Sequence, residues 1–173
     1  TTGVCTITSG GALSFLNAGT CTISADQAGD STYLAATTVS RSFAVNAVVP
    51  GAPTGVTASP DDGQASVTFS APASNGGAAI TGYTATSNPG GITGTCAASP
   101  CTVTGLTNGT AYTFTVTATN SAGTGSASAA SNSVTPKVAQ TITFANPGAQ
   151  NFGTTPTLTA TATSGLTVIF SSA

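Results

Sequence analysis

YTFTVTA, the sequence of Tyr112–Ala118, alternates strictly between apolar and polar residues. Side chains in a β-strand point alternately to its two faces. One face of this stretch therefore carries Tyr112, Phe114, Val116 and Ala118, while threonines occupy the other. The pattern predicts a strand with one face in a core and the other in water.

The composition of the whole chain favours the same structure. Only six of the 173 residues are charged, four acidic and two basic, and the net charge is −2. High net charge, the usual signature of disorder, is absent. Threonine and valine are abundant and fit a pleated sheet, whereas good helix formers are scarce. We therefore expect an all-β protein.

The same composition excludes several functions. Two basic residues cannot neutralise a run of phosphates, so we expect no nucleic-acid partner. The apolar run Leu166–Phe170 is too short for a membrane span. There is no histidine to serve as a base for a serine or cysteine nucleophile, so we expect no enzyme and no cofactor. Because the sequence starts at Thr1 without a signal peptide, we expect it to belong to a longer protein.

Proline-containing linkers at Val48–Pro53 and Val134–Val138 divide the chain. The segment between them has the length of a β-sandwich and reads as seven short strands separated by turn residues. These strands are predicted at 54–59, 65–69, 80–86, 92–96, 101–106, 112–118 and 131–135.

Within this segment, Leu106–Asn120 and Ile80–Tyr83 resemble the E–F corner, F strand and C strand of a bacterial fibronectin type III domain. The resemblance covers about residues 50–137. It implies that the hydroxyl of Tyr112 bonds to backbone upstream of it and that Leu106 packs beneath the ring. It also implies that Phe69 replaces the usual tryptophan of strand B.

The flanks resemble two halves of one bacterial immunoglobulin-like surface repeat, in reversed order. Residues 1–47 are similar to its second half and residues 138–173 to its first, so that placing Ala173 before Thr1 restores one repeat. The segments carrying this resemblance are Val4–Thr8, Leu13–Leu16, Gly19–Ala25, Gln27–Ala36, Ser40–Val45, Gln140–Phe144, Leu158–Ala162 and Gly165–Ser172.

The resemblances predict immunoglobulin-like β-sandwiches, one complete at 50–137 and one divided between 1–47 and 138–173. Each half is too short to bury a stable core and leaves open strand edges. The halves either pair within one chain, or the C-terminal half of one copy completes the N-terminal half of the next. We favour the second arrangement because the linkers should hold the flanks apart. The copies are then either covalently continuous or separate strand-donating subunits.

The four cysteines have neither histidine nor C-x-x-C spacing, which argues against zinc. We expect two local disulfides, Cys5–Cys21 and Cys96–Cys101, worth about 3 and about 2 kcal/mol on the chain-entropy estimate. Free buried thiols are the alternative. A redox-active pair would need a cationic neighbour to stabilise the thiolate, and cations are almost absent.

The remaining polar motifs have ordinary explanations. Asp26 with Asp30, and Asp61–Gly63, offer too few carboxylates for tight calcium binding and suit turns, so we expect no metal. An isopeptide crosslink at Lys137 lacks a glutamate. Asn108–Thr110 matches the glycosylation pattern, but the resembled family has a tight turn there.

The preferred function is a structural repeat of an extracellular bacterial filament, sheath or giant surface adhesin. Its partners would be neighbouring copies of itself, head to tail, with cell-surface or polysaccharide ligands as further candidates. The residues expected to fill the completed core are Phe144, Leu158, Val168 and Phe170. The alternative is a spacer or carbohydrate-binding module of a secreted polysaccharide-degrading enzyme, although sugar sites usually expose aromatics and the chain has only three tyrosines and no tryptophan.

Overall fold

A computed structural model describes residues 3–172, and the secondary structure of this part consists of β-strands. The expected junction between Ala173 and Thr1 lies outside the described residues. The strands are β1 (Cys5–Ile7), β2 (Leu13–Phe15), β3 (Gly19–Ala25), β4 (Val39–Val45), β5 (Thr54–Asp61), β6 (Gln64–Ser70), β7 (Gly82–Asn88), β8 (Thr93–Cys96), β9 (Cys101–Thr104), β10 (Thr113–Asn120), β11 (Gly123–Thr124), β12 (Ile142–Phe144) and β13 (Ala160–Ala162).

The middle segment is a two-layer sandwich of antiparallel sheets, which confirms the predicted fold class. One sheet has the order β5-β6-β9 and the other β11-β10-β7-β8. Their inner faces enclose a single hydrophobic core. The largest side chains fully buried in it are Phe114, Val67, Val103 and Val116.

Strand β10 has the alternation expected from its sequence. Phe114, Val116 and Ala118 are completely buried, while the threonines between them are partly exposed. Its central position between β7 and β11 explains the strict pattern, because one face packs on the second sheet and the other faces solvent.

The last strand of the sandwich differs from the prediction. Residues 131–135 form only an isolated bridge, between Val134 and Tyr112, and the edge is instead β11. Ser128 and Ser131 each bond β10 twice. Their backbone N–H groups donate to the Val116 and Phe114 carbonyls, and their hydroxyls accept from the N–H groups of those same residues. The serine hydroxyls thus take the place that backbone carbonyls have in a regular sheet. For this reason residues 131–135 do not form a regular strand beside β10.

In the flanks, the sheets of the described residues are the two-stranded hairpins β1–β2, β3–β4 and β12–β13. Within residues 3–172 the two flanks share no sheet. Residues 165–172, which carry part of the C-terminal resemblance, do not form a strand. A strand requires a hydrogen-bonded neighbouring strand, and these residues have none within the described chain.

The two linkers leave the sandwich at opposite ends. Val48 lies at the end where β6 stops and β7 starts, because its N–H donates to the Gly76 carbonyl. Pro136 lies at the other end, where its carbonyl accepts from Gly109 N–H, close to the turn between β5 and β6. The distance between these two ends is roughly 25 Å, the length of strand β10 (Thr113–Asn120).

Close packing fixes the first linker to the sandwich. Gly51 N–H donates to the Ser74 carbonyl. A Cβ on Gly125 would overlap the Pro50 carbonyl oxygen, so only glycine permits this approach. Asn120, 4 % exposed, donates through Nδ2 to the carbonyls of Val48 and Asn75, at 2.8 and 2.7 Å. The linker therefore lies on the domain rather than hanging free.

Candidate assembly interface

The four cysteines form the two disulfides that their spacing predicts. Cys5–Cys21 joins β1 to β3, with the Cα atoms 5.7 Å apart. Cys96–Cys101 joins β8 to β9, with the Cα atoms 5.2 Å apart, and so connects the two sheets of the sandwich. Both separations are usual for disulfides. The first bond organises the N-terminal flank and the second belongs to the middle domain.

Hairpin β3–β4 has two chemically different faces. On one face, hydroxyl pairs bond across the strands, Thr22 with Ser42 at 2.7 Å and Ser24 with Ser40 at 2.8 Å. The other face is apolar except for Arg41, whose Nη1 donates to the Ser40 carbonyl. The cross-strand pairs on that face are Gly19–Val45, Cys21–Phe43, Ile23–Arg41 and Ala25–Val39.

Hairpin β1–β2 turns its own apolar face toward that of β3–β4. Cys5 and Phe15 are cross-strand partners, as are Ile7 and Leu13. Cys5 bonds to Cys21, and the Phe15 ring meets the Phe43 ring edge-on at 6.0 Å. The hairpins touch at this end, whereas Ile7, farther along the same face, is 52 % exposed. We call β1–β4 the N-terminal wedge.

The C-terminal hairpin β12–β13 carries a matching apolar face. Its cross-strand pairs are Ile142–Ala162 and Phe144–Ala160, and Thr143–Thr161 occupies the opposite face. Phe170 packs against Phe144 with ring centroids 5.5 Å apart. Phe144 remains 50 % exposed and Phe170 45 % exposed. This face therefore presents apolar surface to water.

The four residues expected to fill the completed core all lie in this C-terminal flank. Phe144 and Phe170 are in contact, whereas Leu158 is exposed and Val168 half-buried. Phe15 and Phe43, which are in contact on the wedge, are not among the residues predicted from the sequence. Phe15 pairs with Cys5 and Phe43 with Cys21 across the strands, so the expected disulfide would have placed the two rings together if the strand register had been known.

The corner tyrosine has the predicted contact. Tyr112 is buried, and its hydroxyl oxygen accepts a hydrogen bond from the Thr107 N–H at 3.1 Å. Leu106 is buried in the same core. Phe69, which stands where the resembled family usually has tryptophan, packs on Tyr83 with ring centroids 4.8 Å apart.

The aspartates are engaged in turns. Hydrogen bonds from the Gln64 side chain and the Asp62 N–H lower the pKa of Asp61, and backbone N–H bonds from Thr32 and Tyr33 lower the pKa of Asp30. Asp26 accepts from the Thr38 hydroxyl. Within the described residues, no group of three or more cysteine or aspartate side chains is arranged to hold a metal.

Asp62 and Asn108 close the end of the sandwich from which the second linker departs. The Asn108 amide donates to Asp62 Oδ1 at 2.7 Å and accepts from Gly63 N–H at 2.9 Å. Asp62 Oδ2 accepts from the Ala139 N–H. The side chain of the glycosylation-like motif is therefore occupied by structural hydrogen bonds. No helix in the part described is long and apolar enough to cross a membrane.

Two packed antiparallel sheets, a corner tyrosine and a core between them define an immunoglobulin-like β-sandwich. The comparison with protein families specifies its type. Residues 51–134 match the fibronectin type III domain family, and this segment is a fibronectin type III domain. Such domains are structural modules, and those with disulfides are typical of extracellular proteins.

Several solved structures are similar to this chain. A crystal structure of several titin domains is 28 % identical with a TM-score of 0.50, covering 58 % of this chain and 37 % of that one. Titin kinase with its flanking domains is 31 % identical with a TM-score of 0.47, covering 53 % and 18 %. Chicken CNTN1 domains FN1-FN3 are 23 % identical with a TM-score of 0.47, covering 53 % and 34 %. The chain thus spans little more than a third of these structures at most. No curated protein matches it.

Proposed function

We propose that the chain is a non-enzymatic structural repeat unit of an extracellular bacterial filament, sheath or giant surface adhesin. In this proposal the C-terminal hairpin of one copy completes the N-terminal wedge of the next. The middle domain is then the spacer between successive completed sandwiches. The disulfides fit an oxidising, extracellular location.

One observation carries this proposal: both flanks expose apolar faces, and they leave the middle domain at opposite ends. Exposed large apolar side chains are concentrated in the flanks, including Phe15, Phe43, Ile142, Phe144 and Phe170. Contiguous exposed apolar surface marks an interaction site in a stable protein. The fibronectin domain between the flanks has its own closed core.

The strand count supports one shared sandwich. The wedge has four strands, the C-terminal flank has two, and residues 166–170 supply a third apolar segment there. If this segment becomes a strand when it pairs with the next copy, the six strands and this segment make seven, the number in a simple immunoglobulin-type sandwich. The polar faces of β3–β4 and β12–β13 would remain outside, because both carry paired hydroxyl residues.

The positions of the linkers favour completion by a second copy. Both linkers are bonded to the domain, at opposite ends roughly 25 Å apart. Closure within one chain would require at least one linker to leave its docked position. A contact between different surfaces of successive copies repeats without closing and builds a filament.

The direct test is sedimentation velocity of the oxidised chain at increasing concentration, with electron microscopy of the largest species. We expect a concentration-dependent series that extends beyond the dimer, with an axial repeat of roughly 60–80 Å for two sandwiches end to end. Burying the remaining half of Phe144 and Phe170 contributes about 1 kcal/mol each. Phe144→Ser/Phe170→Ser should therefore weaken association about 30-fold.

The matched control is Thr143→Ser, on the polar face of the same strand, which should assemble as the unmodified chain does. A chain that stays monomeric at every concentration would refute assembly between copies. So would a monomer in which both phenylalanines are protected from solvent, since that indicates closure within one chain.

A further inference from the structure

We infer that the Cys5–Cys21 disulfide builds the acceptor site for the second copy, whereas the donating hairpin depends on no disulfide. This inference rests on the proposed function and assigns the two roles in the contact. The acceptor is the N-terminal wedge, and its occupant is hairpin β12–β13 of another copy together with the segment around Phe170.

The two hairpins of the wedge belong to separate sheets, so no backbone ladder joins β1–β2 to β3–β4. An isolated two-stranded hairpin is marginal in water. Cys21 is the single buried side chain among described residues 3–47. The arrangement of the two hairpins is therefore held mainly by the disulfide and the Phe15–Phe43 contact, with Val4 packed close to Gly19 and the Ala18 N–H bonded to the Gly77 carbonyl.

The disulfide also determines which surfaces face each other. Cys5 lies on the face of Ile7 and Phe15, and Cys21 lies on the face of Ile23 and Phe43. Joining these two cysteines turns the two apolar faces inward at one end. Farther along the same faces Ile7 and Val39 are about half exposed, and these are the side chains that a partner hairpin would cover.

The second disulfide has no such role. Cys96–Cys101 spans a sequence separation of only 5, between strands that already contribute to the closed core of the fibronectin domain. Its removal leaves both flanks unchanged. The two pairs therefore provide a matched comparison within one chain.

The donor hairpin suits the wedge because it brings apolar side chains and no charge. Described residues 139–172 carry no charged side chain, so the hairpin brings no unpaired charge into the completed core. Arg41, the one charge on the apolar face of the wedge, directs its guanidinium to the Ser40 carbonyl at the strand backbone. Aromatic pairs on both sides, Phe15–Phe43 and Phe144–Phe170, would form the centre of the contact.

The test uses four full-length variants in pairwise mixtures, followed by sedimentation velocity. Acceptor-blocked Phe15→Ser/Phe43→Ser and donor-blocked Phe144→Ser/Phe170→Ser should each be monomeric at concentrations where the unmodified chain assembles. Mixed together, they should form a one-to-one dimer that grows no further, because only one acceptor and one donor remain intact.

Cys5→Ser/Cys21→Ser should behave as an acceptor-blocked chain, monomeric alone but forming a one-to-one dimer with the donor-blocked variant. Cys96→Ser/Cys101→Ser should assemble within about 2-fold of the unmodified chain. Hydrogen exchange of the β10 amides, unchanged in Cys5→Ser/Cys21→Ser, would show that its fibronectin domain stays folded.

The outcomes separate this inference from the proposed function. If the unmodified chain does not assemble, the proposed function fails. If it assembles and Cys5→Ser/Cys21→Ser assembles equally well, the disulfide does not build the acceptor. If Cys5→Ser/Cys21→Ser cannot pair with the donor-blocked chain, the separation of roles is wrong.

Discussion

Asn120 offers a sharp test of how the first linker is held. Its Nδ2 donates to the Val48 and Asn75 carbonyls, and its Oδ1 accepts from the Ala122 N–H at 2.8 Å. The side chain is 4 % exposed. Asn120→Ala removes all three hydrogen bonds and leaves their partners near the surface of the domain, where water can reach some of them.

Three hydrogen bonds of ordinary strength contribute about 2–3 kcal/mol after allowance for this partial hydration. For a domain of this size the melting temperature should fall by about 10–15 °C. The full-length chain would be melted by differential scanning calorimetry. Hydrogen exchange would follow the Val48 amide, which bonds to the Gly76 carbonyl and should lose its protection when the linker detaches.

Asn132→Ala is the matched control. The Asn132 side chain also makes two hydrogen bonds to backbone, both to Ala58 in β5, but none to the linker. It should lower the melting temperature and leave the Val48 amide protected. Unchanged exchange at Val48 in Asn120→Ala, or equal loss in both variants, would refute the idea that Asn120 fixes the linker.

Two further predictions concern the fibronectin domain and pH. Tyr112→Phe removes the acceptor of the Thr107 N–H, so it should lower the free energy of unfolding by about 1 kcal/mol and the calorimetric melting temperature by about 5 °C. The control Tyr33→Phe, at an exposed position, should change the melting temperature little. Equal effects of the two variants would show that the corner hydrogen bond contributes nothing. The pKa values of Asp30 and Asp61 are lowered in the folded chain, so their contribution to stability is present above the ordinary aspartate pKa and is lost as the pH falls through the folded value. Because the sequence has no histidine, the melting temperature should be constant between about pH 5 and 8 and should fall below about pH 4. A marked loss of stability near neutral pH would contradict the role given to these two aspartates.

Much of the fibronectin domain could be predicted because its signals are local. Alternation marks β10, and turn residues mark the ends of its neighbours. Cys96 and Cys101 are so near in sequence that little beyond a tight connection is needed to bring them together. The resemblance supplied the contact of Tyr112 with the Thr107 backbone, which the structure contains.

Other features could not be predicted because they depend on long-range contacts. Ser128 and Ser131 replace backbone carbonyls in bonding β10, an exchange that composition does not show. The position of Asn120 was visible in the sequence, because it lies on the same face of the strand as the buried residues Phe114, Val116 and Ala118 but is polar. A polar group at a core position requires buried partners, but only the folded chain identifies them as Val48 and Asn75.

The amino-acid sequence by itself determined the all-β class, the strand alternation and the near absence of charge, because these follow from the chemistry and period of neighbouring residues. Only the tertiary structure decided which end of the sandwich each linker leaves from and which apolar faces remain uncovered. Both depend on strand register and sheet order, which bring together residues far apart in the chain. The opposed exits of Val48 and Pro136 are therefore a property of the folded molecule that the sequence does not show.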